Sequence, residues 1–76
     1  MIGTIKNNKH LNLSYQTLLY QDINEALIDD MITVIDAFEL IKQAIELGRI
    51  EDNEAFEILD KLINDGLISE NDLNDF

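Results

Sequence analysis

The sequence predicts a single, mainly α-helical domain with an N-terminal β-hairpin, and three observations lead to this fold class. The chain has 76 residues, the length of one domain. Its hydrophobic content of 46% is enough for a packed core. Apolar residues alternate with period two near the N-terminus and follow helical spacing from residue 22 onward. We find no internal repeat or low-complexity linker in this pattern, so residues 1–76 are taken as one unit.

Residues 1–15 are predicted to form the hairpin arm. Residues 1–5 fit a short strand, and residues 6–9 fit a polar turn, because asparagine tolerates left-handed backbone conformations. Leu11, Leu13 and Tyr15 then alternate with polar residues, as in a half-buried strand. Because an isolated hairpin is barely stable in water, this arm is expected to pack on the helices or to pair with another chain.

A long helix is predicted over residues 22–47. Asp22 and Glu25 fit a variant of the capping box, and Gly48 can end the helix in the left-handed conformation. Such a helix would be about 39 Å long at 1.5 Å per residue. Its apolar seam has alternating spacings of four and three residues and consists of Leu27, Met31, Val34, Phe38, Ile41 and Ile45. Further apolar residues widen this seam beyond what one short helix can cover, so the seam is predicted to form a homodimer interface.

Two shorter helical segments are predicted after the long helix. The second helix spans residues 52–65, with Phe56, Leu59 and Ile63 as its main apolar stripe. Gly66 can end this helix in the left-handed conformation. Ser69 and Asp72 fit a capping box that opens a short helix over residues 69–75.

The chain is strongly acidic, with a formal net charge of −11 at pH 7. Residues 1–13 contain Lys6 and Lys9 and no acid, so residues 14–76 carry a net charge of −13. Such a field repels nucleic acids and anionic membranes and attracts basic protein surfaces. We therefore expect a protein partner with a basic surface, and no direct binding to nucleic acid or membrane.

The sequence also predicts a cytoplasmic location. No apolar run reaches the roughly 18 residues of a membrane span, and the first residues do not fit a signal peptide. The absence of cysteine fits a reducing compartment.

Catalytic, metal and cofactor sites are not predicted. The only histidine, His10, lies in the basic arm and is interpreted as a solvated side chain. If Gly66 is placed at the glycine position of a calcium-binding EF-hand loop, Lys61 falls where a carboxylate ligand is required. The sequence therefore indicates a binding protein and not an enzyme.

The arrangement of carboxylates is the main clue to function. Residues at helical spacing are predicted to share one side of the long helix, and they are Asp22, Glu25, Asp29, Asp36, Glu39 and Glu46. One interpretation is a solvated face that keeps a small protein soluble. The other is that a row of carboxylates imitates a phosphate backbone and occupies a basic channel built for DNA. We favour inhibition of a DNA-binding or replication protein by this mimicry, because −13 over 63 residues exceeds what solubility needs.

A five-residue segment, Gln16-Thr17-Leu18-Leu19-Tyr20, resembles the peptide by which bacterial replication proteins dock on the sliding clamp. Gln16, Leu19 and Tyr20 match the glutamine, leucine and aromatic positions of that peptide, whereas Thr17 and Leu18 depart from its usual residues. The resemblance implies that these three residues bind a clamp. The alternative interpretation is that Leu19 and Tyr20 are core contacts between the hairpin and a helix.

In size and charge the whole chain is similar to small acidic proteins that phages make to disable host DNA enzymes. That resemblance implies inhibition at a DNA site in the host bacterial cytoplasm, often by a dimer. The rival prediction is a dimeric helical adaptor whose exposed apolar groove holds a partner helix.

Overall fold

The computed structural model describes residues 14–76, which form three α-helices and a short 3-10 helix. Helix α1 spans Tyr15–Ile28, α2 spans Val34–Glu46 and α3 spans Asp52–Asn64. The 3-10 helix spans Glu70–Asp75. Residues 14–76 contain no strand, so the mainly helical character is confirmed but the predicted fold class with an N-terminal hairpin is wrong.

The predicted hairpin fails where it meets the described residues. Tyr15, its last strand residue, is the first residue of α1. The Ser14 hydroxyl accepts a hydrogen bond from the Thr17 amide at 3.1 Å and caps the helix. Such a cap satisfies an amide that has no partner within the first helical turn, so it favours helix over strand at this point. The remainder of the predicted hairpin, with His10, lies outside the described residues.

The single long helix predicted over residues 22–47 is also wrong, because the chain turns between α1 and α2. Asp30 adopts a left-handed conformation with φ of 60°. The Met31 amide donates to the Ala26 carbonyl at 2.8 Å, which closes the end of α1 as a Schellman motif. Thr33 and Asp36 then form the capping box that starts α2.

This turn recurs, and the chain is built from an 18-residue unit, contrary to the expectation of no repeat. Asp30, Gly48 and Gly66 are 18 residues apart and adopt φ values of 60°, 75° and 77°. The same closing bond follows each helix, from Met31 to Ala26, from Arg49 to Ala44 and from Leu67 to Leu62, at 2.8, 2.9 and 3.0 Å. Each helix therefore ends by the same hydrogen-bonded geometry.

The start of the following helix is repeated in the same way. The cap positions are Thr33, Glu51 and Ser69, and their backbone amides donate to the carboxylates of Asp36, Glu54 and Asp72 at 3.1, 2.8 and 2.9 Å. The sequence-based boundaries of 52–65 and 69–75 lie close to those of α3 and the 3-10 helix for this reason. Both begin at a capping box and the first ends at a glycine.

The unit length explains why the break in the long helix is invisible in the apolar pattern. Eighteen residues are five turns of an α-helix at 3.6 residues per turn. The apolar face of each helix therefore resumes in the same phase after each turn. Ile23, Ile41 and Leu59 occupy the same position in successive units, and all three are buried.

The helices alternate in direction, and α1 lies alongside α3. Gln16 at the start of α1 donates to Glu57 at 2.7 Å, and Asn24 near its end donates to Asp65 at 2.8 Å. Both pairs are 41 residues apart, so α1 and α3 are parallel. Helix α2 joins the end of α1 to the start of α3 and runs in the opposite direction.

The C-terminal segment occupies the corresponding place beside α2. The Phe76 ring meets the Phe38 ring edge-to-face at a centroid distance of 5.2 Å, and the Lys42 ammonium lies 5.2 Å from the Phe76 centroid. Each of the first two helices is thus contacted by the segment two units further along the chain.

Residues of the predicted dimer seam do not form one exposed face. Phe38 and Ile41 are 1% and 0% exposed within a single chain, whereas Met31 is 77% exposed in the α1–α2 turn. Leu27, Val34 and Ile45 are half-buried against the core. The unbroken apolar surface on which the homodimer was predicted is therefore absent, and the homodimer stays a prediction.

The repeat offers a matched pair of phenylalanines for testing the core. Phe38→Ala is expected to lower the free energy of unfolding by about 3–5 kcal/mol, because it leaves a cavity in a buried site. Phe56→Ala, at the equivalent position, is expected to cost less than about 1 kcal/mol, since that side chain is 55% exposed. Urea titration followed by circular dichroism measures both values. Equal losses would contradict the assignment of Phe38 to the core.

The left-handed residues offer a second test. Asp30→Gly is expected to raise the melting temperature, because relief of roughly 1–2 kcal/mol of left-handed strain exceeds the roughly 0.5–1 kcal/mol of added chain freedom. Gly48→Ala is expected to lower it, since φ is 75° there and an added Cβ meets no atom within 4 Å that could compensate. Scanning calorimetry of both variants checks these opposite signs. A rise or a fall in both would contradict the shared backbone role.

Candidate functional site

The surface of residues 14–76 is acidic because carboxylates far outnumber cations in this part of the chain. All 16 carboxylate side chains of the protein belong to these residues, together with Lys42, Arg49 and Lys61. The three cations lie 5.2, 5.3 and 5.3 Å from the ring centroids of Phe76, Tyr15 and Tyr20. These contacts attract a cation to the face of a ring and hold the three aromatic side chains in place.

The six acids predicted to form one row lie on two helices of opposite direction. Asp22, Glu25 and Asp29 are exposed on or at the end of α1. Asp36, Glu39 and Glu46 are exposed on α2. Because the turn at Asp30 separates the two groups, they do not continue a single row.

Asp36 differs from the other five acids, because its carboxylate has a structural partner. It accepts a hydrogen bond from the Thr33 amide at 3.1 Å and stabilises the start of α2. A substitution at Asp36 therefore changes helix stability as well as surface charge.

The residues that resemble a clamp-docking peptide lie on the side of α1 that contacts α3. Gln16 donates to Glu57, Leu19 packs against the core, and the Tyr20 hydroxyl donates to Asp65. All three side chains are half-buried within the same chain. Their placement matches the alternative interpretation, core contacts, except that the contacted element is α3 and not a hairpin.

Tyr20 belongs to a small polar cluster at the end of α3. Its hydroxyl donates to an Asp65 oxygen that also accepts from Asn24 at 2.8 Å, and the Lys61 ammonium lies over its ring. The hydrogen bond to Asp65 raises the pKa of Tyr20, and desolvation and the Asp65 charge act in the same direction. This cluster joins α1 to α3 and does not provide a free binding group.

The equivalent position on α3 is uncovered. On α1, Gln16, Tyr20 and Asn24 are spaced one turn apart and contact α3. The residues 36 positions further on are Asp52, Phe56 and Asp60, and all three are exposed. We name Asp52, Phe56 and Asp60 the outer stripe of α3.

The outer stripe was missed by the sequence analysis, which placed Phe56 in the apolar stripe of its helix. Phe56 is 55% exposed, and its closest aromatic contact is the Phe76 ring at a centroid distance of 6.1 Å. The recurrence of an aromatic residue at Tyr20, Phe38 and Phe56, every 18 residues, is the signal that could have revealed it.

Other kinds of site are absent from the part of the chain that the structure describes. Residues 14–76 present no pocket and no group of three or more metal-binding side chains. None of the helices among these residues is long and apolar enough to cross a membrane.

Comparison with known proteins adds no relative to this description. No family model, no curated protein and no solved structure matches the chain.

The Tyr20 cluster gives a testable pH dependence. Tyr20 is expected to ionise above the ordinary pKa of 10.0, and Asp65→Asn is expected to bring its pKa back toward that value. Because the folded-state pKa is raised, the cluster's contribution to stability is present below about pH 10 and is lost as the pH rises through the raised pKa. Ultraviolet titration of tyrosinate in a Tyr15→Phe background isolates Tyr20. An unchanged titration curve in Asp65→Asn would contradict the role of Asp65.

Proposed function

We propose that this protein is a binding protein whose acidic surface occupies a basic surface of another protein. The observation that supports this most is the imbalance of charge in residues 14–76, which contain 16 carboxylates and three cations. Each of the three cations also contacts an aromatic ring. Such a field raises the association rate with a basic partner and repels nucleic acid.

A surface that holds the phosphate backbone of DNA is basic, so a DNA-binding or replication protein is the proposed class of partner. Occupation of that surface inhibits the partner by excluding DNA, in the bacterial cytoplasm of a phage host. The sliding clamp remains one such partner, through the basic lining of its ring. The route through Gln16, Leu19 and Tyr20 is not proposed, because Gln16 and Tyr20 donate to α3 and Asp65 at its end and Leu19 packs against the core.

The second candidate function is that of an adaptor that holds a partner helix. The exposed outer stripe of α3, with Phe56 at its centre, favours this candidate. The two candidates differ in their dependence on salt, because mimicry of DNA rests on charge alone and an apolar contact is hardly screened.

Charge reversal on α2 tests the mimicry. Glu39→Lys/Glu46→Lys changes two exposed side chains of one helix and leaves the Asp36 cap intact. The double variant should fold like the wild type, because exposed substitutions usually change stability by less than about 0.5 kcal/mol. It is expected to bind basic DNA-binding proteins at least about tenfold more weakly, since both local charges are reversed.

The measurement captures proteins from a bacterial lysate on the immobilised chain and elutes them with duplex DNA and, separately, with salt. Elution by both, and weak capture by the double variant, agree with occupation of a DNA site. Glu39→Gln/Glu46→Gln, which removes charge without reversing it, is the matched control and should give an intermediate result. Partners that DNA does not displace would contradict the mimicry.

A further inference from the structure

We propose that the outer stripe of α3, formed by Asp52, Phe56 and Asp60, binds a basic amphipathic helix of a partner protein. The partner's helix lies parallel to α3 and places a lysine or arginine over the Phe56 ring. This inference deepens the second candidate function, the adaptor that holds a partner helix, and rests on it, because it names the face that holds the helix and the chemistry of that helix.

The outer stripe repeats a position that is covered in the first two units of the chain. The position of Tyr20 recurs at Phe38 and Phe56, and a later segment of the chain covers the first two. Helix α3 lies against Tyr20, and Phe76 lies against Phe38, which is 1% exposed. At the third position the Phe56 ring meets the Phe76 ring at a centroid distance of 6.1 Å, and the Phe56 side chain nevertheless stays 55% exposed. Within residues 14–76 the outer stripe thus repeats the position of a helix-packing face and is exposed.

The contact that α1 already makes has a defined chemistry. Its stripe of Gln16, Tyr20 and Asn24 is uncharged and meets Glu57, Lys61 and Asp65 of α3. In that contact a lysine lies over the aromatic ring, and polar side chains pair on each side of it. Aromatic side chains at the centre of a contact commonly carry much of its binding energy, with the groups around them excluding water.

Charge distinguishes the outer stripe from that contact. On the outer stripe the two positions that flank Phe56 are the carboxylates Asp52 and Asp60. In the α1–α3 contact the corresponding residues of α1 are neutral and meet the carboxylates of Glu57 and Asp65. A helix that covers the outer stripe therefore needs cationic groups in place of those two carboxylates. A second copy of this chain would place its own carboxylates against Asp52 and Asp60, and like charges in contact are unfavourable. The partner is therefore a basic helix with lysine or arginine at three positions spaced one turn apart.

The experiment uses a peptide that reproduces this complement. The probe has the sequence of residues 51–68 of the chain, with Glu57→Lys, Asp60→Lys and Asp65→Lys substitutions and Lys61 retained. A labelled form is titrated with the full chain, and fluorescence anisotropy gives the dissociation constant. We expect saturable binding, and backbone amide shifts in NMR spectra that concentrate at Asp52, Phe56 and Asp60.

Two protein variants locate the contact. Phe56→Ala is expected to weaken binding of the probe about tenfold or more, since an aromatic anchor carries much of such an interface. Ile28→Ala removes another exposed apolar side chain, 62% exposed at the end of α1, and should change the affinity less than about twofold. Asp60→Lys supplies an independent variant that leaves all aromatic contacts in place, and it should also weaken binding. Circular dichroism first establishes that each variant is folded.

Two control peptides separate the possible failures. A scrambled probe with the same composition has no amphipathic helical face. If the scrambled probe binds as tightly as the probe, or if the probe binds Phe56→Ala as tightly as wild type, the outer stripe is not the binding site. Binding is then general to the acidic surface. If the unmodified α3 peptide binds as well as the probe, the basic partner is overturned in favour of a second copy. If neither the probe nor its scrambled form binds, the inference and the second candidate function both fail, and capture of DNA-binding proteins from a lysate decides the mimicry separately.

Discussion

The left-handed turn that closes each helix is the constraint on which the rest of the structure depends. Asp30, Gly48 and Gly66 adopt the left-handed backbone conformation. The backbone amide of the residue after each one donates a hydrogen bond to the carbonyl five positions earlier. Each helix is thereby limited to 13 or 14 residues. A capping box a few residues later fixes where the next helix begins, so the direction of the chain reverses at a defined point.

Helix lengths and linkers of nearly constant size place each helix beside the one two units away. That arrangement buries Ile23, Ile41 and Leu59 in one core, although the domain is small and contains no disulfide. Small domains bury a lower fraction of their surface than large ones, so the repeated hydrogen-bonded caps are an important part of what holds the helices in place. Within residues 14–76 the same arrangement leaves the outer stripe of α3 exposed, although it repeats the position of a covered face.

Charge distribution follows from this architecture as well. Asp36, Glu54 and Asp72 are acids because a capping box needs a carboxylate or amide at that position, and their charges belong to helix starts. Glu57 and Asp65 are acceptors for Gln16 and Asn24. Acids such as Asp22, Glu25, Glu39 and Glu46 are exposed, and they distinguish this surface from one with ordinary balanced charge. Asp52 and Asp60 are exposed as well, and they flank the Phe56 ring. The outer stripe therefore presents both charge and an apolar surface.

The sequence alone determined the helical character, the acidic surface, and the boundaries near residues 52–65 and 69–75, because caps and glycines are local signals read from a few adjacent residues. It did not reveal the break at Asp30. Aspartate is a weaker signal than glycine for a left-handed residue, and a unit of five helical turns preserves the apolar phase across the break. It left open whether Leu19 and Tyr20 dock on a clamp together with Gln16 or are core contacts. Only the tertiary structure decided that α1 places Gln16 and Tyr20 against α3 and that Phe56 stays 55% exposed beside the Phe76 ring, because burial depends on which element lies alongside and not on the residue type.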